Sequence, residues 1–301
     1  MIKSVMDRIY RVCRVGVLDV MKTMSLQKLG NADIEGLVAL SREAGWDYDE
    51  KELGTILSAG VITGHRNEMG KIISSAALLP YVKGAASIGM VIVSPEYRRL
   101  GLGEAVVKEC MALAQNVPIL LISTPEGRPL YEKLGFSEVR KIHKFLCDEY
   151  RPSRKASPYK IAVMKKDHLE EVYEADRLAF GTARRIFLSK RVEQSEKALV
   201  LKDMADRVVG FGLSIAGPEN LILGPIVSFD QASAAALTHE LAHSHNGTLR
   251  IDVPDGQQLF MDELIRCGFK KVSEPPVMII HAKGMPERNG RLYGIAAQAF
   301  G

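Results

Sequence analysis

Apolar residues recur along this chain at two periods that alternate. In "ADIEGLVALSREAG" (32–45), Ile34, Leu37, Val38 and Leu40 fall at helical spacing, and the stretch stops near Gly45. "KELGTILSAG" (51–60) predicts a second short helix. Three strand-like runs follow, "GVITGHR", "KIISSAALLPYV" and "AASIGMVIVSP", the first two joined by the turn "NEMG". A helix then opens at a pair of glycines, with Leu102, Val106, Cys110 and Leu113 on one face and Glu104, Lys108 and Glu109 on the other. "VPILLIST" (117–124) predicts a buried strand. "RPLYEKLGF" predicts a short helix stopped by Gly135, and "VRKIHKFLC" a closing strand. Helices interleaved with strands in this order suit one mixed sheet with helices on its faces, an α/β fold.

"DEYRPSRKASPY" (148–159), charged and carrying two prolines, reads as a linker. After it the same order begins again. "YKIAVM" predicts a strand, "HLEEVYEADRLAF" and "RIFLSKRVEQSE" two helices, and "ALVLKD", "RVVGFGLSIAG" and "NLILGPIVSF" three strands. A helix capped by Asp230, strand "TLRIDV", helix "GQQLFMDELIRCGF" and strand "PVMIIHA" complete the repeat. "EKLGFSEV" (132–139) and "IRCGFKKV" (265–272) both end a helix with Gly-Phe, which supports a duplication. The expected division is an extension over 1–23, a first domain over 24–148, a linker over 149–158 and a second domain over 159–301.

Composition narrows the chemistry. The 301 residues are 47% hydrophobic and 25% charged, with a mean hydropathy of +0.00, which fits a soluble globular chain of two ordinary domains. A net charge of +4 falls short of the clustered basic stripe that nucleic-acid binding needs, so the expected ligand is a small anion. Residues 1–23 mix Arg and Lys with short apolar runs. They approach neither the ~18 apolar residues of a membrane span nor a signal peptide with its cleavage site. Cys13, Cys110, Cys147 and Cys267 lie far apart without metal-ligand spacing, so reduced thiols, a cytoplasmic setting and no metal are expected.

One junction concentrates the candidate chemistry. "VSPEYRRLGLGEAVVKE" (93–109) sets Arg98, Arg99, Gly101 and Gly103 between an apolar strand and an amphipathic helix. A dinucleotide fingerprint fails here, because Val106 stands at the third glycine position and no acidic residue ends the next strand. A Walker loop fails for want of its lysine. Successive amides at a helix N-terminus can still cradle an anion, glycines let phosphate oxygens approach the backbone, and the arginines add charge at the rim.

"VIVSPEYRRLGLGEAVV" resembles the acetyl-CoA pyrophosphate loop of the GNAT N-acetyltransferases, and "PLYEKLGF" resembles that family's tyrosine-bearing helix. The resemblance implies a tandem GNAT fold whose cosubstrate is acetyl-CoA. Pantetheine would pair along Val91, Ile92 and Val93, and phosphates would lie over the amides of Arg98, Arg99, Leu100, Gly101, Leu102, Gly103 and Glu104. It makes Tyr131 the acid for the departing thiolate and the Val91 N–H the oxyanion donor. The family often has an asparagine seven residues before the tyrosine; this chain has Thr124. No base is named, Glu68 and His143 being candidates by proximity alone.

For the acceptor, "AGWDYDEKE" (44–52) offers Trp46 with Asp47, Asp49 and Glu50 as a wall for a cationic amine. The second half has neither arginine nor glycines at the phosphate position, and Leu264 aligns with Tyr131. It resembles a degenerate C-terminal domain of a two-domain GNAT subgroup, whose F-G-x-x-R segment matches "AFGTAR" and makes Arg184 a candidate for an acidic group of the acceptor. The expected function is acetyl transfer by direct attack of the primary amine of a small molecule or amino acid, with no nucleic acid or membrane partner; a homodimer stays open. The alternatives are a non-catalytic acyl-CoA sensor and a protein-lysine acetyltransferase.

Overall fold

The computed structural model describes residues 24–82, 84–152 and 159–300. The extension expected over 1–23 and residues 153–158 of the expected linker lie outside the described residues.

Strand β1 (Leu26–Leu29) is followed by helices α1 (Ile34–Glu43) and α2 (Glu50–Ala59), then by an antiparallel run of β2 (Val61–Arg66), β3 (Ile72–Tyr81) and β4 (Ala85–Val93). Helix α1 buries Leu37 and Leu40, and α2 starts where the Asp49 carboxylate accepts the Glu52 N–H at 2.8 Å, the N-cap arrangement of a short acidic residue. Helix α3 (Leu102–Leu113), β5 (Ile119–Ile122), α4 (Arg128–Lys133) and β6 (Ser137–Cys147) complete the first half. The short helix expected around Tyr131 begins at Arg128, with Pro129 in its first turn where the missing N–H costs no bond.

The second half repeats this order: β7 (Lys160–Val163), α5 (Leu169–Phe180), α6 (Arg185–Gln194), β8 (Lys197–Lys202), β9 (Val208–Ala216), β10 (Leu221–Val227), α7 (Gln231–Ala242), β11 (Leu249–Pro254) and α8 (Gln258–Arg266). Strands β12 (Lys270–Ser273), β13 (Pro276–Ile280) and β14 (Leu292–Gly294) follow, and a 3-10 turn spans Gln298–Phe300.

Through the described residues the strands join in one order, β1-β2-β3-β4-β5-β13-β6-β11-β10-β9-β8-β7. The expected boundary near the linker is therefore not a boundary of the sheet. Strand β13, from the second half, stands between β5 and β6 of the first and pairs antiparallel with both. In return β6, eleven residues long, reaches across: its Ile142–Cys147 portion pairs with β11 and, at its end, with β12. The sequence explains the exchange. Val277, Met278 and Ile279 are all buried, two against the central core and Met278 against the α3 side, as suits a strand covered on both faces. Phe145 and Cys147 of β6 are likewise buried in the second half's core.

Helices α2 and α6 occupy equivalent places in the two halves and pack against each other. Fully buried Arg191 of α6 pairs with Glu52 of α2 and donates to the Ala296 carbonyl at 3.0 Å. Phe187 and Phe300 pack with ring centroids 4.5 Å apart, so the C-terminal tail closes the central core.

Candidate active site

Strands β4 and β5 run parallel but pair only where Ala86 and Ser87 meet Ile119 and Leu120. Beyond that point β4 carries one residue more than β3 between Gly89 and Ile92, with Met90 at φ 52°. Such a bulge bends the strand and re-aims its edge, and β4 leaves β5. The parting opens a cleft of about 720 Å³ lined by Val91, Ile92 and Val93 on one side and by Thr124, Gly127 and Tyr131 on the other.

The mouth of the cleft is the junction that the sequence singled out. Pro95–Tyr97 form a 3-10 turn, Arg99 has φ 66° and Gly101 φ 81°, a left-handed conformation that glycine adopts freely. Helix α3 begins there without a side-chain cap. The amides of Arg99 through Glu104 find no acceptor among the described residues; the first helical bond is donated by the Ala105 N–H to the Gly101 carbonyl at 3.0 Å. Glu104, the one acid of the first turn, is paired with Lys108 at 2.8 Å and Lys133 at 2.5 Å. The arrangement leaves the positive end of a twelve-residue helix facing the cleft. Arg98, Arg99, Leu102 and Gly103 line it, whereas Leu100 does not. Ser94 anchors the turn by donating to Glu43 at 2.8 Å. Lys71 and Ser94 together hold the Glu43 carboxyl below its usual range.

Tyr131 sits on α4 with its ring 6.0 Å from Phe136, edge to face. Burial pushes its phenol well above the ordinary value, so the hydroxyl keeps its proton.

A second cavity of about 260 Å³ opens between the two halves. It shares Trp46, Tyr48, Thr124, Gln298 and Ala299 with the cleft, which makes it continuous with the cleft's inner end. Trp46 stacks on Tyr48 at 5.9 Å and 10°. Asp47, Asp49 and Glu52 line one wall, and Lys144 and Arg250 another. Burial drives the Tyr48 phenol up, with Glu52 and Asp47 adding to the effect. It also raises the Glu52 carboxyl, against the pull of Arg191.

The remaining candidates lie elsewhere. Glu50 lines neither space, and Glu68 is exposed on the β2–β3 turn. His143 faces Asp255 at 2.7 Å and Glu274 at 3.4 Å, outside both cavities. Arg184 is 4% exposed, forms two 2.9 Å hydrogen bonds with Asp176 and stands 3.7 Å over the Phe180 ring. It lines neither cavity and pins α5 to the start of α6. Lys144, Arg250 and Gln298 line the second cavity and were not singled out by the sequence. The pair in "LRIDV" was the available signal: Arg250 and Asp252 share one face of a strand whose other face, Ile251 and Val253, is core.

The second half closes the equivalent places. Its parallel strands β10 and β11 pair only at Leu221–Ile222. There β14 pairs with β10 at Ile226 and Val227, and a Cβ on Gly224 would stand 2.0 Å from the Ile295 carbonyl oxygen. The N-terminus of α7 is capped by Asp230, whose carboxylate accepts the Ser233 N–H at 2.8 Å. A carboxylate thus occupies the place where α3 leaves its amides open.

Comparison with known proteins agrees with this geometry. Residues 59–138 and 172–294 match two family profiles, both described as acetyltransferase (GNAT) domain. YitH of Bacillus subtilis (strain 168), described as an uncharacterized N-acetyltransferase, is 36% identical over 278 residues, which cover 92% of this chain and 98% of that protein. A crystal structure of a Pyrococcus horikoshii protein superposes with a TM-score of 0.78 at 21% identity, over 93% of this chain and 96% of that one. A tandem GNAT protein from the clavulanic acid biosynthesis pathway gives 0.64 at 15% identity, over 85% and 98%. Among the described residues no helix is long and apolar enough to cross a membrane.

Proposed function

Because this chain belongs to the GNAT family, as an N-acetyltransferase built from two such domains, we propose that it moves an acetyl group from acetyl-CoA to the primary amine of a small molecule. One observation carries the reading. The cleft between β4 and β5 ends at its mouth in six amides without acceptors among the described residues, and opens at its inner end into a cavity between the halves. An elongated anionic thioester and a compact amine fit those two spaces, and the cavity's position between packed halves favours a small acceptor over a lysine on a protein surface.

When bound, acetyl-CoA supplies an activated acyl carbon. The chain's residues account for the rest. The amides of Arg99 to Glu104 and the guanidinium groups of Arg98 and Arg99 hold the pyrophosphate. The free edge of β4 at Val91, Ile92 and Val93 pairs with the pantetheine, and the Val91 N–H donates to the thioester oxygen as it gains charge. The neutral amine attacks, the N–C bond forms and the C–S bond breaks; Tyr131 gives its proton to the sulfur, the nitrogen sheds one proton to water in the cavity, and Tyr131 regains a proton from solvent. The first domain, 24–148, carries the chemistry. The second, 159–301, walls the acceptor cavity, since Asp230 and β14 fill its own counterpart of the cleft. Buried thiols at Cys110, Cys147 and Cys267 support a cytoplasmic setting.

The test is incubation with acetyl-CoA and a panel of primary amines while free thiol is followed. Amine-dependent release is expected, and its absence across a broad panel overturns the reading.

A further inference from the structure

The acceptor cavity has two electrically different walls. Lys144 on β6 stands directly across from Asp252 on β11, and Arg250 lies two residues before Asp252. Cross-strand partners and i, i+2 positions share a face, so all three side chains project to the same side of the sheet, where Lys144 and Arg250 line the cavity. The Asp252 carboxylate is fully buried and already committed. One oxygen accepts from Arg250 Nε at 3.0 Å and Nη2 at 2.8 Å, and the other accepts from Gln298 Nε2 at 3.1 Å. Among the described residues neither Arg250 Nη1 nor the Lys144 ammonium has a hydrogen-bond or ion-pair partner. Two cations therefore stand side by side in a partly desolvated space, and Asp252, Asp47 and Glu219 act on Lys144 without an ion-pair contact. Burial and the neighbouring Arg250 pull the Lys144 ammonium below its ordinary value, a cost that a bound anion would reverse.

The position of this wall fixes its use. Lys144 and Arg250 line the cavity but not the cleft, so they mark its far end, whereas Trp46, Tyr48, Thr124 and Gln298 border both spaces. On the facing wall Asp49 is engaged as the cap of α2 and Glu52 by Arg191, while Asp47 forms no ion pair among the described residues and lies within electrostatic reach of Lys144. An acceptor whose anionic end reaches Lys144 and Arg250 extends its other end to Trp46 and Thr124, where the cavity meets the cleft.

We propose that the acceptor carries an anionic group, a carboxylate or a phosphate, beside its amine, and that Lys144 and Arg250 hold that group so the amine points to the cleft. The proposal rests on the acetyltransferase reading for the amine, not for the anion.

The experiment uses matched pairs: L-alanine with ethylamine, L-phenylalanine with phenethylamine, and glucosamine 6-phosphate with glucosamine. Thiol release and calorimetric binding are measured for the wild type, Lys144→Met and Arg250→Lys. The anionic member of at least one pair should be preferred by roughly 10- to 100-fold in kcat/KM, the range of a hydrogen bond to a charged group. The amino-acid pairs and the sugar pair separate carboxylate from phosphate. Lys144→Met, which keeps the apolar stem, should shrink that preference about tenfold through KM, and Arg250→Lys keeps the charge next to Asp252 should a larger change prevent folding. Equal use of both members, or a preference unchanged in both variants, overturns the proposal. Selective binding of anionic members without any turnover would support the anion site and overturn the transferase reading; neither binding nor turnover overturns both.

Discussion

A Cβ on Gly127 would stand 3.0 Å from Cε2 of Tyr131 and 3.4 Å from Thr124 Oγ1. The glycine is therefore what lets the tyrosine ring lie against the start of its own helix. Gly127 has φ −79°, so alanine suits the backbone there and only the ring must move. Gly127→Ala should lower kcat several-fold while Tm stays within about 2 °C, checked by steady-state kinetics beside thermal melts.

Tyr131→Phe removes the proposed acid and keeps the ring. We expect kcat to fall about 100-fold, the lower end for a positioned proton donor, with KM for acetyl-CoA within about twofold. Because burial raises the Tyr131 phenol above its ordinary value, the protonated form persists through the working range. The wild-type pH–rate profile should rise as the amine loses its proton and show no falling limb below about pH 10.

Arg98 and Arg99 line the cleft mouth. Arg98→Ala or Arg99→Ala should raise KM for acetyl-CoA about 5- to 20-fold, the effect of a charge-assisted contact, and make KM less sensitive to salt. Gly101→Ala forces a side chain onto φ 81° and should destabilise the protein by about 1–2 kcal/mol, read from urea unfolding.

His65 of β2 lies buried against Ser74 Oγ at 2.7 Å, and burial lowers its pKa from 6.5. The unfolded chain then takes up the proton first as pH falls. This residue's contribution is complete above about pH 6.5 and is lost as pH drops from there through the lower folded value. Between pH 7 and 5 the wild type should lose more Tm than His65→Asn does.

The strand exchange makes a sharper prediction. Residues 24–152 alone lack β13, whose Val277, Met278 and Ile279 are buried in the first half, each worth about 1.5–3 kcal/mol. That fragment should show no cooperative melt by circular dichroism, and co-expression with 159–301 should restore one.

The elements themselves were legible because their periods are clean: "ADIEGLVALSREAG" reads as a helix and "AASIGMVIVSP" as a strand from hydrophobic spacing alone. The turn at the cleft mouth was legible for the same local reason, since Arg98, Arg99, Gly101 and Gly103 fall within six residues. Partner choice was not. "PVMII" announces a strand but carries nothing that names the half in which it sits. Lys144 carries no local signal of its own, because only the second half, through Arg250 and the residues around Gly217, encloses it. Arg184 looked like a binding residue because its motif is local, whereas its partner Asp176 lies one helix earlier.

The place of β13 also sets a timetable for synthesis. About 150 residues separate the end of β5 from the start of β13, so at about 5–20 residues per second the ribosome leaves β5 without its neighbour for roughly 8 to 30 s. Through that interval the nascent first half presents an unpaired apolar edge, the kind of surface that recruits chaperones or joins a neighbouring nascent chain. Residues 276–280 thus decide whether the first half ever folds, although the cleft between β4 and β5 was encoded long before them.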